Sequence, residues 1–167
     1  MAESPIIPQA KMMQTLIPVI KNQGQVYRKF KKVWARKAVG GEKVATVTSD
    51  GVETTNTAKP GDMIVRNFTG AGERYIAKAE KFQERYKFEK EVEDGYSQYH
   101  PLGRVIAVKV DRDLLDLLKC EETFKFIAPW GEPMTVHKDD FLVCPPDFSE
   151  IYRIARKEFF ETYKLDT

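Results

Sequence analysis

An internal repeat is the feature that most constrains how this chain can fold. Six of the residues at 73–88 recur identically 77 positions later. They are Glu73, Tyr75, Phe82, Glu84, Tyr86 and Lys87 in the first copy and Glu150, Tyr152, Phe159, Glu161, Tyr163 and Lys164 in the second. With one residue deleted, Asp62-Met63-Ile64-Val65 also matches Asp140-Phe141-Leu142-Val143. A chain of 167 residues that repeats in this way predicts two related small units.

The first copy carries the signals of short strands, tight turns and a closing helix. Ser49-Asp50-Gly51 predicts a hairpin turn, and Pro60-Gly61 predicts a tight turn before a strand at 63–68. The chain returns at 73–76 and continues as an amphipathic helix at 77–86. The predicted fold class is therefore α+β: two related small β-rich units, each ending in a β-hairpin followed by a short amphipathic helix, with an N-terminal arm.

Composition changes along the chain predict where these parts begin and end. A charged stretch followed by Gly95 and Pro101 predicts a linker at 89–102. We therefore expect an N-terminal arm at 1–26, a first unit at 27–88 and a second, diverged unit at 103–167. Whether the two units share one core is left open.

The repeated aromatic residues favour a structural interpretation. Phe82 and Tyr86 are four residues apart, as are Phe159 and Tyr163, so each pair would share one helical face. Each helix could then press two rings onto the preceding hairpin. We expect these side chains to belong to the core.

The first copy also resembles a known family. Pro60-Gly61-Asp62 is followed by Met-Ile-Val, then by Gly72-Glu73-Arg74-Tyr75, with a Phe seven residues later and a Tyr four residues after that. With the basic segment before Val33, residues 27–88 resemble the small PGDYG-type domain of bacteria and phages. Met63 stands in place of the usual aromatic residue, and the second half has diverged further. Because the biochemical role of that family is not established, the resemblance implies a fold, here as a diverged tandem duplication, and little else.

The N-terminal arm has an apolar stripe that something must cover. Met12, Met13, Leu16, Ile17 and Ile20 lie at helical three- and four-residue spacings. Prolines at positions 5, 8 and 18 predict that no long helix forms, so that a helix here is interrupted or restarts at Pro18. The stripe could pack on the body of the same chain or on a partner, and both interpretations remain open.

Charge is unevenly distributed along the chain. Residues 4–41 carry eight basic side chains and no acid, whereas residues 42–167 carry 19 basic and 24 acidic side chains. Basic residues interleaved with aromatic rings at 27–37 could bind an acidic surface or nucleic acid, or could form a strand with solvated lysines. The candidate partner-binding residues are Met12, Met13, Leu16, Ile17, Ile20, Arg28, Lys29, Lys31, Lys32, Arg36 and Lys37.

No arrangement of residues in the sequence predicts catalysis. The two cysteines do not have zinc-site spacing, and His100 and His137 are isolated. The glycines near Gly70 do not fit a phosphate-binding loop. We therefore expect no catalytic, metal or cofactor site.

These observations predict a non-catalytic protein–protein interaction protein, an accessory or assembly subunit of a larger complex. Other protein subunits are the expected partners. One alternative is a small-ligand or nucleotide-binding module of phage or bacterial type, and another is an enzyme with an unrecognised site. The sequence predicts no transmembrane segment and no secretory signal, which favours an intracellular location, soluble or peripheral, in the cytoplasm or an organelle matrix. Differences between the copies, at 27–37 and in a helix at 114–120, are where function is expected.

Overall fold

The computed structural model describes residues 5–166, which form two compact units. One, which we call the terminal unit, comprises residues 5–27, 104–159 and 165–166. The other, which we call the central unit, comprises residues 28–103 and 160–164. The division therefore differs from the predicted division at 88 and 103, because the chain passes between the units more than once.

The helices are α1 (Gln9–Gln23), α2 (Ala79–Arg85), α3 (Arg112–Leu118) and α4 (Arg156–Thr162). The strands are β1 (Gln25–Lys29), β2 (Val33–Lys37), β3 (Lys43–Thr48), β4 (Gly51–Thr57), β5 (Met63–Asn67), β6 (Arg74–Ala77), β7 (Tyr86–Glu91), β8 (Ser97–Pro101), β9 (Arg104–Lys109), β10 (Thr123–Ile127), β11 (Pro133–His137), β12 (Phe141–Cys144), β13 (Tyr152–Ile154) and β14 (Tyr163–Leu165). The predicted α+β, strand-rich class is confirmed.

The central unit is built on a five-stranded sheet in the order β6-β5-β2-β8-β7, with β3 and β4 forming a separate hairpin. All described neighbours in this sheet are antiparallel. Val33 and Ala35 alternate with more exposed residues along β2 and enter the core, where Phe82 of α2 covers them. The Phe82 ring stacks on Tyr86 at 4.6 Å and meets Tyr99 edge-on at 4.7 Å.

The terminal unit contains a five-stranded sheet in the order β13-β12-β9-β1-β14 and the β10–β11 hairpin. Its core is larger, because the buried face of α1 joins apolar side chains of the strands, among them Phe126 and Leu142. Asp111 caps α3, its side chain accepting a hydrogen bond from the backbone N–H of Leu114 at 2.9 Å. This cap stabilises the start of α3, the helix that connects β9 to β10.

The N-terminal segment is one continuous helix, which corrects the predicted interruption at Pro18. Pro18 lies inside α1 and is exposed, as is Gln14 one turn earlier. The hydrogen bond that proline cannot donate is therefore lost on the solvent side, where water can reach the Gln14 carbonyl. Burial of the opposite face against the core supports the helix at this position.

The predicted linker at 89–102 is instead most of the β7–β8 hairpin. Its turn is closed by a hydrogen bond from Val92 N–H to the Tyr96 carbonyl at 3.0 Å. Asp94 and Gly95 adopt positive φ angles of 56° and 78°, which suit a tight turn. The glycine that suggested a break between units is thus a turn residue within one unit.

The two units show matching local geometry at the repeated aspartates. Asp62 accepts a hydrogen bond from Lys59 N–H at 2.9 Å, and Asp140 accepts one from His137 N–H at 2.8 Å. The Asp62 carbonyl accepts a hydrogen bond at 2.7 Å from the N–H of Ala38, the residue after β2. The Asp140 carbonyl likewise accepts one at 2.8 Å from the N–H of Val110, the residue after β9. In each unit a tyrosine from the fourth strand of the sheet meets the helix phenylalanine edge-on: Tyr99 with Phe82, and Tyr27 with Phe159.

Candidate binding groove

A surface groove of about 520 Å³ lies in the central unit, where the end of β2 approaches α2 and the β7–β8 hairpin. Its lining consists of Ala35, Arg36, Lys37, Met63, Phe82, Gln83, Tyr86, Phe88, Gly95, Ser97 and Tyr99. β8 pairs with β2 only from Val33 to Ala35. The last residues of β2 therefore extend beyond β8 and face the groove.

Aromatic rings make up the apolar part of the groove. Phe82 is buried, Tyr86 and Tyr99 are half-buried, and Phe88 is 54% exposed. Phe88 meets the Tyr99 ring edge-on at 5.8 Å. The register of β7 against β8 shifts between Phe88 and Lys90, as in a β-bulge. Such an irregularity bends a strand locally and can re-aim a side chain.

Two basic residues, Arg36 and Lys37, stand at the end of β2 beside the groove. Lys37 shares the face of Ala35 and is exposed, whereas the Arg36 side chain alternates to the opposite face of the sheet, where its guanidinium carbon lies 5.3 Å from the Tyr96 ring centroid. Among the described residues, no hydrogen-bond acceptor meets the buried Nε of Arg36. A buried donor without an acceptor is rare in native proteins.

The positive charge of Arg36 acts electrostatically on Glu42. Its pKa lies below the ordinary range because its own backbone N–H and those of Val39 and Gly40 donate hydrogen bonds to it, with the Arg36 charge adding to the effect. The bonds from Val39 and Gly40 are 3.1 and 2.7 Å long. The Glu42 carboxylate is thus hydrogen-bonded to the loop backbone, and the Arg36 Nε–H has no acceptor among the described residues.

Lys29 lies behind the aromatic residues and is only 7% exposed. Its Nζ donates to Tyr86 Oη at 2.6 Å, to Asn67 Oδ1 at 2.9 Å and to Tyr75 Oη at 3.4 Å. The Tyr75, Tyr86 and Tyr163 ring centroids lie 5.2 to 6.0 Å from this atom. The groove residue Tyr86 is therefore held from behind by a buried lysine.

Burial lowers the pKa of Lys29 from 10.5 to about 7, since the ammonium loses its hydration. The charge of Glu73 opposes this shift, and that of Arg85 adds to it. The hydrogen bonds and tyrosine rings around Nζ favour the charged form but do not replace the water that an exposed ammonium would have.

The candidate residues of the basic segment do not form one continuous surface. Lys29 is buried, and Lys32 pairs with Glu89 at 3.1 Å. Arg28 and Lys31 are exposed but do not line the groove. Of these candidate residues, only Arg36 and Lys37 are among those that line the groove.

The candidate residues of the N-terminal arm pack against their own unit. Met12, Leu16 and Ile20 are fully buried in its core, and Met13 and Ile17 are partly buried against it. The apolar stripe of the arm is therefore covered by the same chain, as one of the two open interpretations expected. The three buried residues are therefore corrected from candidate partner-binding residues to core residues.

Other groups of chemical interest lie elsewhere. In the range 5–166, no set of three His, Cys, Asp or Glu side chains could hold a metal ion, and no helix is long and apolar enough to cross a membrane. His137 Nδ1 lies 3.1 Å from Thr123 Oγ1, and His100 Nδ1 lies 3.8 Å from a Glu89 oxygen. Neither histidine lines the groove.

Comparison with known proteins gives no relative: no family model matches this chain, and neither curated proteins nor solved structures give a significant match. The resemblance to PGDYG-type domains therefore stays a prediction. Function has to be argued from the geometry of the groove.

Proposed function

We propose that this chain is a non-catalytic protein–protein interaction protein, an accessory or assembly subunit, and that its groove receives a segment of a partner protein. The observation that carries the proposal is the groove itself, which combines aromatic rings, among them the exposed Phe88, with the exposed Lys37. Tyr, Phe and Met are enriched at protein interfaces, and all three types line it. Tyr is also among the residues that contribute most to binding energy.

The openness of the groove favours a protein partner. Sites for small molecules are clefts that bury most of the ligand surface. Here Lys37, Gln83 and Phe88 are all exposed. A side chain that projects from a larger surface could use such a groove while the surrounding surface excludes water.

The edge strand beside the groove argues for side-chain insertion over strand addition. β7 lies at one edge of the central sheet, and its register shift interrupts the row of backbone groups that an added strand would need. Lys87, Lys90 and Glu91 are exposed along it. Charges and irregularities of this kind protect edge strands from pairing with another chain.

Native mass spectrometry of the full-length chain, purified gently from the cells that produce it, tests the proposal. We expect a complex whose bound fraction falls at least tenfold in Phe88→Ala. Leu117→Ala serves as the matched control, because Leu117 is 51% exposed on α3 of the terminal unit. Equal bound fractions in the two variants, or a free monomer only, would count against the proposal.

We also propose that the body is a diverged tandem duplication of a PGDYG-like unit in which the first strands have been exchanged. The two sheets have corresponding orders, β6-β5-β2-β8-β7 and β13-β12-β9-β1-β14. In each sheet, the strand at the fourth position precedes the other copy in the sequence. The matched aspartate and aromatic contacts support this reading.

A cysteine pair tests the placement of the exchanged strand. Ala35 faces Ser97 in the β2–β8 register, so Ala35→Cys with Ser97→Cys should form a disulfide under mild oxidation. Ala35→Cys with His100→Cys is the control, because these positions do not face each other. Equal oxidation of the two pairs would contradict the exchange.

A small-ligand module is the second candidate function, favoured by the groove volume, which lies within the range of ligand sites. A thermal-shift screen of the full-length chain against nucleotides and metabolites tests it. Stabilisation that Phe88→Ala abolishes would support this function, and a screen without any shift would oppose it.

A further inference from the structure

We infer that the central unit binds single-stranded nucleic acid on the face of its sheet that lies opposite the groove. Phosphates would lie at Arg66 and Arg74, and bases would stack on the rings of Trp34, Phe68 and Tyr96. We call the surface formed by these five residues the arginine–aromatic face. It shares no residue with the groove, so the inference goes beyond the proposed function and does not rest on it.

Strand register brings the two arginines and the tryptophan into one row. Trp34 of β2 faces Arg66 of β5 on one side and Gln98 of β8 on the other. Arg66 in turn faces Arg74 of β6. Residues that face each other across antiparallel strands point to the same side of a sheet. Ala35, the residue after Trp34, lines the groove, so the row belongs to the opposite face.

Three aromatic rings meet on this face. The Trp34 ring meets the Phe68 ring edge-on at 5.6 Å, and its centroid lies 6.3 Å from that of Tyr96. All three residues are half-buried, so each keeps part of its surface in solvent. The indole N–H of Trp34 donates a hydrogen bond to Gln98 Oε1 at 3.2 Å, which restricts rotation of the ring. Bases of any type stack on aromatic side chains, because every base has a π-face.

The two arginines supply positive charge without a counter-ion. Arg66 and Arg74 are exposed, and neither guanidinium group makes a hydrogen bond or an ion pair with another residue of 5–166. Like charges directly opposite on neighbouring strands destabilise a sheet. A bound phosphate would relieve this repulsion, and its oxygens can accept paired hydrogen bonds from a guanidinium. The pair therefore fits a ligand with closely spaced negative charges.

Glu89 also lies beside this face, but its charge is offset within the chain. Its carboxylate accepts a hydrogen bond from Gln98 Nε2 at 2.9 Å and pairs with Lys32 at 3.1 Å. It is therefore not a partner of the two arginines. Across the central unit, 16 basic and 12 acidic side chains give a net charge of +4 at pH 7, which favours an anionic ligand.

Rings next to unpaired guanidinium groups favour a single strand over other anions. In a duplex the bases stack on one another and do not present their faces to side chains, so only unpaired bases can use the rings. An acidic peptide would satisfy the arginines, but it lacks the regular alternation of anionic groups and flat rings that a single strand has. The contacts involve phosphates and base faces, which single-stranded DNA and RNA share.

Fluorescence anisotropy of the full-length chain with labelled oligo(dT) and oligo(U) of about twelve nucleotides tests the inference. We expect both to bind, and poly(glutamate) and duplex DNA of similar length to bind about tenfold more weakly. The double variant Arg66→Gln with Arg74→Gln should weaken oligo(dT) binding about tenfold. It should also reduce the slope of log K against log salt by about 1.4, which is about 0.7 for each lost phosphate contact.

Arg156→Gln is the matched control, because Arg156 is an exposed arginine of the terminal unit. It should leave both the affinity and the salt slope unchanged. The double variant should not lower the midpoint of urea unfolding, because both of its side chains are exposed and the change removes a like-charge contact. Weakened binding would then reflect the lost charges and not an unfolded chain.

Tryptophan fluorescence tests the stacking separately. Trp130→Phe leaves Trp34 as the single tryptophan. Oligo(dT) should quench the Trp34 emission, whereas polyphosphate, which has no bases, should not. Equal binding of poly(glutamate) or of the duplex, unchanged oligo(dT) binding in the double arginine variant, or binding without quenching of Trp34 would overturn the inference.

Discussion

The buried amine of Lys29 should make the stability of this protein depend on pH in an unusual direction. Its pKa is about 7 in the folded chain and 10.5 in the unfolded reference. Between these values the unfolded chain binds a proton that the folded chain lacks, so the free energy of unfolding rises with pH. For one group with these two pKa values, the rise from about pH 6 to about pH 8.5 amounts to about 2 kcal/mol.

Lys29→Met removes the titrating amine and keeps a flexible stem of similar length. Urea denaturation across the same pH range should show the rise of about 2 kcal/mol in the natural chain and its loss in the variant. Lys31→Met is the matched control, because Lys31 is exposed two residues further on. The window reaches the ordinary pKa of thiols only at its upper end and stays below that of tyrosines, so these groups contribute little. An unchanged rise in Lys29→Met, or a fall in the natural chain that the variant lacks, would refute the reasoning.

Three further predictions concern packing and buried groups. Burial raises the pKa of the Cys144 thiol to about 11, so iodoacetamide should label the less buried Cys120 at least tenfold faster; equal rates would contradict the burial. Asp140→Ala should lower the free energy of unfolding by about 3 to 5 kcal/mol, because it removes the carboxylate of a buried ion pair with Arg153, whereas Asp62→Ala should cost roughly 1 kcal/mol; urea denaturation that ranked them in reverse would be inconsistent with the two environments. Leu16→Ala should cost about 2 to 5 kcal/mol by the same method, and a neutral result would mean that α1 does not join the core.

The strands that sequence reasoning located are those whose apolar residues alternate or run together. β5 and β12 have that pattern, and the repeat drew attention to both. β7 was missed because all but its first residue are exposed, and its charges resemble those of a linker. Apolar patterning indicates only strands that have a buried face, so an edge strand of this kind gives a weak signal.

The candidate groove could be predicted only in part. Charge marked Arg36 and Lys37, but Phe88 and Tyr99 lie in or beside the segment predicted to be a linker. The alternation of Tyr86 and Phe88 with charged residues was the signal that could have indicated a strand there. Nothing local indicates that this hairpin pairs with β2, because that contact joins residues far apart in the sequence.

The environment of Lys29 was also beyond the reach of local patterns. A lysine within a basic segment predicts a solvated side chain. Its burial depends on Tyr75, Tyr86 and Tyr163, which come from three separate strands of the sequence. All three tyrosines belong to the repeat, and Tyr86 and Tyr163 were expected to join the core, but their role in holding a lysine follows only from tertiary packing.

Site-specific photo-crosslinking in the cells that produce the chain tests the central claim, that the groove binds a partner protein, most directly. A photoreactive phenylalanine analogue would replace Phe88 in one variant and Leu117 in the other, and mass spectrometry would read the crosslinked peptides. We expect the probe at position 88 to capture one partner through a single defined peptide, and the probe at position 117 not to capture that partner. Capture of the same proteins in equal yield at both positions, or of none at position 88, would contradict it.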